Sequence, residues 1–342
     1  MDSKTAPVGC YDRRAFLRAL SAGGAASLGA WSASLCAAEP PSETTRIRLA
    51  RTPGICFAPM FVAEDLLRAE GFSDVQYVAS AGAAATTAMM VKGELDVFIR
   101  YVASSVLDVE SGVPVVMLAG VHPGCFELIA SSRVQSVRDL KGKLVSIPSE
   151  GSTQHVFLAA VAAQVGLDPK RDIQWVERPL YDQLAQLAAG KVDAIMTFPP
   201  VAQEARAKKI GRVVVNSVVD KPWSQYFCCC ISAHREFVRR HPVAAKRAVR
   251  AILKAADVCA AGPERSARFL VDKGYVQNYD YAAQALKEIP YRRWRDYSAE
   301  DSVRFWSLRL HETGFIKSSP NRILTQGTDW RFLNELKTEL KT

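Results

Sequence analysis

The feature that most constrains this chain is an alternation of short apolar strands with helix-length runs, sustained from about residue 46 to residue 216. Residues 47–50 alternate in polarity as a first strand, and Thr52-Pro53-Gly54 breaks it. An amphipathic helix over 57–69 follows, then a strand at 75–78, a helix at 83–92, a strand after Gly93, a helix at 101–110 and a strand at 115–119. Residues 126–131 read as an exit strand, after which the grammar repeats. Its second round is a strand at 144–147, a helix to Val165, a strand at 173–176 and a helix at 181–189. A strand opening at Asp193, a helix after Pro199-Pro200 and a strand at 212–216 complete it. Strands separated by helices of this length imply parallel βαβ units, hence an α/β fold. Two segments echo each other, Lys92-Gly93-Glu94-Leu95-Asp96-Val97 and Gly190-Lys191-Val192-Asp193-Ala194-Ile195. Each puts a Gly and then an Asp ahead of a strand, as two similarly wired lobes would.

The start of the chain carries a different kind of signal. Asp12-Arg13-Arg14-Ala15-Phe16-Leu17-Arg18 resembles a bacterial twin-arginine export signal, and a weakly apolar run rich in Ala, Gly and Ser follows to Ala38. The expected organisation is a signal peptide at 1–38 and a linker at 39–45. Lobe one is then expected at 46–128 plus 225–342, and lobe two at 129–224. This predicts a periplasmic protein whose mature part has no stable membrane insertion. Cys36 also reads as a lipidation site, although Leu35 before it fits poorly. The formal charge of +9 is dispersed and nothing resembles a nucleic-acid module, so it reads as general attraction for anions.

In open α/β sheets ligands sit beyond the C-terminal ends of strands, where helices begin. Five such points are visible: 52–57, 80–82, 99–101, 149–155 and 197–200. The fourth is the most informative. The strand at 144–147 is stopped by Pro148, a polar turn follows, and Ser152 or Thr153 stands in N-cap position before an apolar helix. Backbone N–H groups, a positive helix end and hydroxyls make an anion site. Taken alone, the same residues read first as a cap serving only their own helix; their place at a strand end in the second of two similar lobes turns the reading towards a ligand.

The motif set resembles that of solute-binding proteins of bacterial ABC importers, in the nitrate/sulfonate/taurine and thiamine-pyrimidine-precursor (NMT1/SsuA-like) branch. The stretches that carry it are Lys92–Val97, Val137-Arg138-Asp139-Leu140-Lys141-Gly142-Lys143, Gly151-Ser152-Thr153, Gly166-Leu167-Asp168-Pro169 and Gly190–Ala194. The resemblance implies a type II periplasmic-binding fold: two α/β lobes, a two-segment hinge and a central ligand cleft. It implies a small, anionic, sulfonate- or carboxylate-like organic solute, a cognate ABC permease with its ATPase, a monomer, no cofactor and no catalysis. It places Ser152 and Thr153 on the anionic end of the ligand, with Gln154 as a further donor. It places Phe57 and Phe198 over the apolar part. Gly82, Arg100, Tyr101 and Tyr226 complete the expected ligand-binding set, with Arg100 a fixed cation if it faces the cleft.

The cysteines offer an alternative. Cys228-Cys229-Cys230 resembles the cysteine run of the yeast-type pyrimidine-precursor synthase, an enzyme on the same fold, and with His234 it suggests a metal-dependent sensor. In a regular strand Cys228 and Cys230 share one face, which leaves a metal short of ligands, and buried free thiols are the plainer reading. His122 and Cys125 are too close along one turn, without an orienting acid, to make a convincing nucleophile and base.

Overall fold

A computed structural model describes residues 39–340; the expected signal peptide, including Cys36, lies outside the described residues. Ten strands form two five-stranded sheets. The first sheet has the order β2-β1-β3-β10-β4, from β1 (Arg46–Arg51), β2 (Asp74–Ala79), β3 (Val97–Tyr101), β4 (Val115–Pro123) and β10 (Phe227–His234). The second has the order β7-β6-β8-β5-β9, from β5 (Glu127–Ala130), β6 (Leu144–Ile147), β7 (Gln174–Glu177), β8 (Ala194–Thr197) and β9 (Arg212–Asn216). The two orders are one pattern. In each, the first three strands of a βαβ series pair in parallel, and an antiparallel strand separates the third from the fourth. That odd strand is β10 in one sheet and β5 in the other, each arriving directly from the opposite sheet.

The echo seen in the sequence has a mechanical purpose. Asp96 accepts a hydrogen bond from the Arg48 backbone N–H at 2.8 Å, and Asp193 accepts one from the Leu144 N–H at 2.9 Å. Each Asp therefore clips the first strand of its series to the third. Each is also paired to an arginine, Asp96 with Arg48 at 2.6 Å and Asp193 with Arg133 at 2.5 Å. The preceding Gly93 and Gly190 hold φ near +66° and +68°, a left-handed conformation that Gly adopts at no steric cost.

Local departures from expectation are small. The helix expected over 57–69 is a 3-10 turn at Ile55–Phe57 followed by helices Ala58–Val62 and Glu64–Ala69. Tyr101, expected to open a helix, ends β3, and the helix runs Val102–Glu110. After β10 the chain is helical. The longest helix, Pro242–Ala261, buries Ala245, Ala248, Val249, Ile252 and Ala256 at three- and four-residue spacings against the first sheet's side of the molecule. Helices of this C-terminal part cover β4, an edge strand that is buried along its whole length, and the Asp329 N–H caps it by donating to the Met117 carbonyl at 2.9 Å. Among the described residues, no helix is long and apolar enough to cross a membrane.

Candidate functional site

The chain crosses between the sheets twice, at 124–126 and 217–226, and the crossings are bonded to each other. The Ser217 hydroxyl accepts from the N–H groups of Cys125 at 3.0 Å and Phe126 at 2.8 Å. Gly124 takes φ +56° there, and a Cβ on it would run into the backbone of Ser217 and Val218. The strand ends that face one another lie beside these crossings. The Ile55 N–H donates to the Pro199 carbonyl at 3.3 Å, and the Ser104 and Thr153 hydroxyls are 3.3 Å apart. The facing edges are therefore in contact. A groove of about 440 Å³ lined by Ser131, Leu187, Lys209 and Arg212 sits at the opposite end of β5 and β9, away from these edges.

The second sheet contributes a helix start. Ser152 has extended backbone and caps helix Thr153–Gln164, its hydroxyl accepting from the His155 N–H at 3.4 Å. The first N–H groups of a helix have no acceptor within it, so those of Thr153 and Gln154 are directed out of the helix start. Gln154 is buried and Thr153 half-buried against Ser104. His155 serves the turn: its Nδ1 accepts from the Gly151 N–H at 2.9 Å, and its ring meets Trp175 and Phe315 edge-on. That bond needs an unprotonated nitrogen, and burial holds its pKa below the ordinary histidine value.

Aromatic rings fill the adjoining space. Phe126 stacks on Phe157 at 4.8 Å and meets Phe198 at 5.9 Å, while Tyr101 meets Phe126 and Trp306 edge-on. Phe57 and Phe198 are both half-buried and both lie against Gly54. Gly82 caps the helix Ala83–Val91, its carbonyl accepting from the Ser80 and Thr86 hydroxyls. Tyr226 stacks on Phe305 at 3.9 Å. Phe126, Phe157 and Trp306 lie outside the ligand-binding set expected from the sequence, because an aromatic in an apolar run carries no mark of facing another sheet.

Arg100 is ion-paired within the first sheet's side of the molecule. Its guanidinium forms a short ion pair with Asp108 and donates to the Thr87 hydroxyl at 2.9 Å; Arg100 and Asp108 are buried and Thr87 is half-buried. Burial lowers the arginine and raises the aspartate, each opposed by the partner's charge. The structure also does not assemble Cys228, Cys230 and His234. His234 caps the helix Arg235–Arg240 by accepting from the Glu236 N–H at 3.2 Å, and Cys230 lies 3.4 Å from the Ser232 hydroxyl. Register shifts at the start of β10 break the alternation expected of a regular strand, bringing Cys228 within 3.3 Å of Cys125.

The profile of the NMT1-like family matches residues 40–270, more than half of the chain. The chain belongs to the NMT1-like family. A nitrate import ATP-binding protein, NrtC of Synechocystis, is 23% identical over 221 residues, 60% of this NMT1-like chain. The chain spans about a third of that relative, 32% of its length. Its fold resembles that of the periplasmic nitrate-binding protein NrtA from Synechocystis, with a TM-score of 0.72, 15% identity, and 88% and 90% of the two chains covered. It also resembles the alkanesulfonate-binding protein SsuA from Xanthomonas axonopodis pv. citri bound to MOPS, with a TM-score of 0.68, 15% identity, and 85% and 100% covered. The fold is that of periplasmic binding proteins.

Proposed function

We propose that this chain is an extracytoplasmic solute-binding protein of an ABC importer, exported by the twin-arginine pathway, that encloses a small organic anion between its lobes and presents it to a permease and its ATPase. The observation that carries this is the capped start of helix Thr153–Gln164, set against Ser104 of the opposite lobe. A sulfonate or carboxylate there receives N–H groups and hydroxyls at the positive end of a helix dipole. The rings of Phe57 and Phe198 beside Gly54 suit an apolar body attached to that anion. The names of the fold relatives agree in chemistry, one binding nitrate and another alkanesulfonate. The role involves no covalent step. Ligand binding favours the closed arrangement, and closure is what a transporter would read.

Thermal unfolding in the presence of alkanesulfonates, short carboxylates and nitrate tests this. A solute at a hundred times its dissociation constant stabilises by about 2.7 kcal/mol. Replacing both Ser152 and Thr153 with Ala should weaken that solute by more than about tenfold, while losing only the ~1 kcal/mol of a helix cap in stability. If none of the three anion classes raises the melting temperature, the reading is wrong.

A further inference from the structure

Six cysteines are present in the described residues, all buried and none in a disulfide. Four of them meet where three distant segments converge. Cys56 sits in the turn Ile55–Phe57 after β1, Cys125 in the first crossing, and Cys228 and Cys229 at the start of β10, where the chain returns. The Sγ atoms of Cys56, Cys125 and Cys229 all lie within 4.8 Å of one another. With metal–sulfur bonds of about 2.3 Å, three sulfurs around one ion stand roughly 4 Å apart. Three buried thiols thus already have nearly the spacing of a trigonal thiolate site, with no rearrangement of backbone.

Two orphaned polar atoms adjoin them. The Tyr101 hydroxyl is buried without a hydrogen-bond partner, in the electrostatic neighbourhood of Cys125, Cys228 and Cys229. The His122 ring faces two carbonyl oxygens with Nδ1, those of Pro123 at 3.4 Å and Gly124 at 3.2 Å, and leaves a buried Nε2 unpartnered. A buried hydroxyl without an acceptor is rare, and a thiolate would be one. Apolar packing alone leaves the Tyr101 hydroxyl unexplained.

We infer that Cys56, Cys125 and Cys229 form a binding site for a soft monovalent metal ion, Cu(I), at the base of the crossings. Thiolate sulfur selects soft ions, and a buried set of three, with Cys228 against Cys125 but outside that set, suits a cuprous ion better than zinc, which takes four ligands. Burial holds all three thiols protonated in the metal-free chain, Cys229 with a pKa of about 11. Binding therefore exchanges thiol protons for the ion, the protons leave to solvent, and affinity rises with pH. The Tyr101 hydroxyl then donates to a thiolate. The metal ligands are separate from the anion reading, since they include none of Ser152, Thr153 or Gln154; Tyr101 alone belongs to both sets.

The test uses the reduced full chain, titrated with Cu(I) against a chromophoric chelator, with metal content measured on the separated protein. One equivalent is expected, lost in each of Cys56→Ala, Cys125→Ala and Cys229→Ala and kept in Cys259→Ala, a buried cysteine outside the cluster. Tyr101→Phe should retain the ion with about tenfold or more weaker affinity, as loss of a partner around a metal ligand does. Because the alanine variants could fail to fold, the wild-type chain is also alkylated in mild denaturant with and without Cu(I). Protection of Cys56, Cys125 and Cys229 but not Cys259 supports the site. Absence of bound Cu(I), or uptake of zinc in its place, would each overturn it.

Discussion

His122 shows how burial sets the behaviour of one residue. It is fully buried at the end of β4, against the ring of Tyr291 at 5.3 Å, and loss of solvent pushes its pKa down to about 4. In the unfolded chain the same imidazole titrates near 6.5. Between those values the unfolded state binds more protons than the folded one, so stability present above about pH 6.5 is lost as pH falls towards 4. The full difference is about 3 kcal/mol, at ~1.4 kcal/mol per unit. Urea midpoints measured across this range should fall on acidification, and His122→Gln should flatten the fall. An unchanged slope in the variant would place the acid sensitivity elsewhere. Arg100 and Asp108 show the opposite solution, in which charges enter the interior together and satisfy each other.

At the scale of elements, the paired aspartates are the clearest design. Asp96→Ala removes acceptors from the Arg48 N–H and guanidinium, and Asp193→Ala removes those of Leu144 and Arg133. Each substitution should cost about 1–3 kcal/mol by chemical denaturation, since each leaves a strand N–H without its partner. Exposed Glu94→Ala should stay within roughly 0.5 kcal/mol. Equal effects for Asp96 and Glu94 would mean that the clip is ornamental.

This level was also the most legible in the sequence. Strand periodicity, turn glycines and the Gly-to-Asp echo are local, and they announced the βαβ series. The helix cap at Ser152 was legible for the same reason. What escaped depends on partners far apart in the chain. Nothing near Arg100 marks Asp108 as its ion-pair partner rather than a ligand. The thiol cluster draws on positions 56, 125 and 229, and a bulge that periodicity hides determines which sulfurs meet.

For the whole molecule, the question is what holds the facing edges together. Arg206, on helix Val201–Ala207, donates to Glu127 at 2.8 Å and to Glu288 at 2.5 Å, and Gln203 also reaches Glu288 at 3.0 Å. Glu288 ends the helix Tyr279–Glu288, so this cluster ties the second sheet and its helix Val201–Ala207 to the C-terminal helices. Removing Glu288 takes away the acceptor on one side only. Small-angle scattering of Glu288→Ala without solute should give a larger radius of gyration than wild type, and saturating solute should bring the two together. Identical values without solute would show that the latch does not bias closure.

The late arrival of β10 carries a consequence for synthesis. β3 and β4 do not pair with each other; both pair with β10, which is made about a hundred residues after β4. The second sheet, by contrast, is drawn from one uninterrupted stretch, 127–216. As the chain leaves the ribosome, the second sheet can complete itself while the first waits with two unpaired, apolar strand edges. Pairing across that separation closes a long loop and is slow by nature, and bare edges invite other chains. The nascent protein is therefore most exposed to aggregation in the interval before His234 emerges, and a holding chaperone has most to offer there.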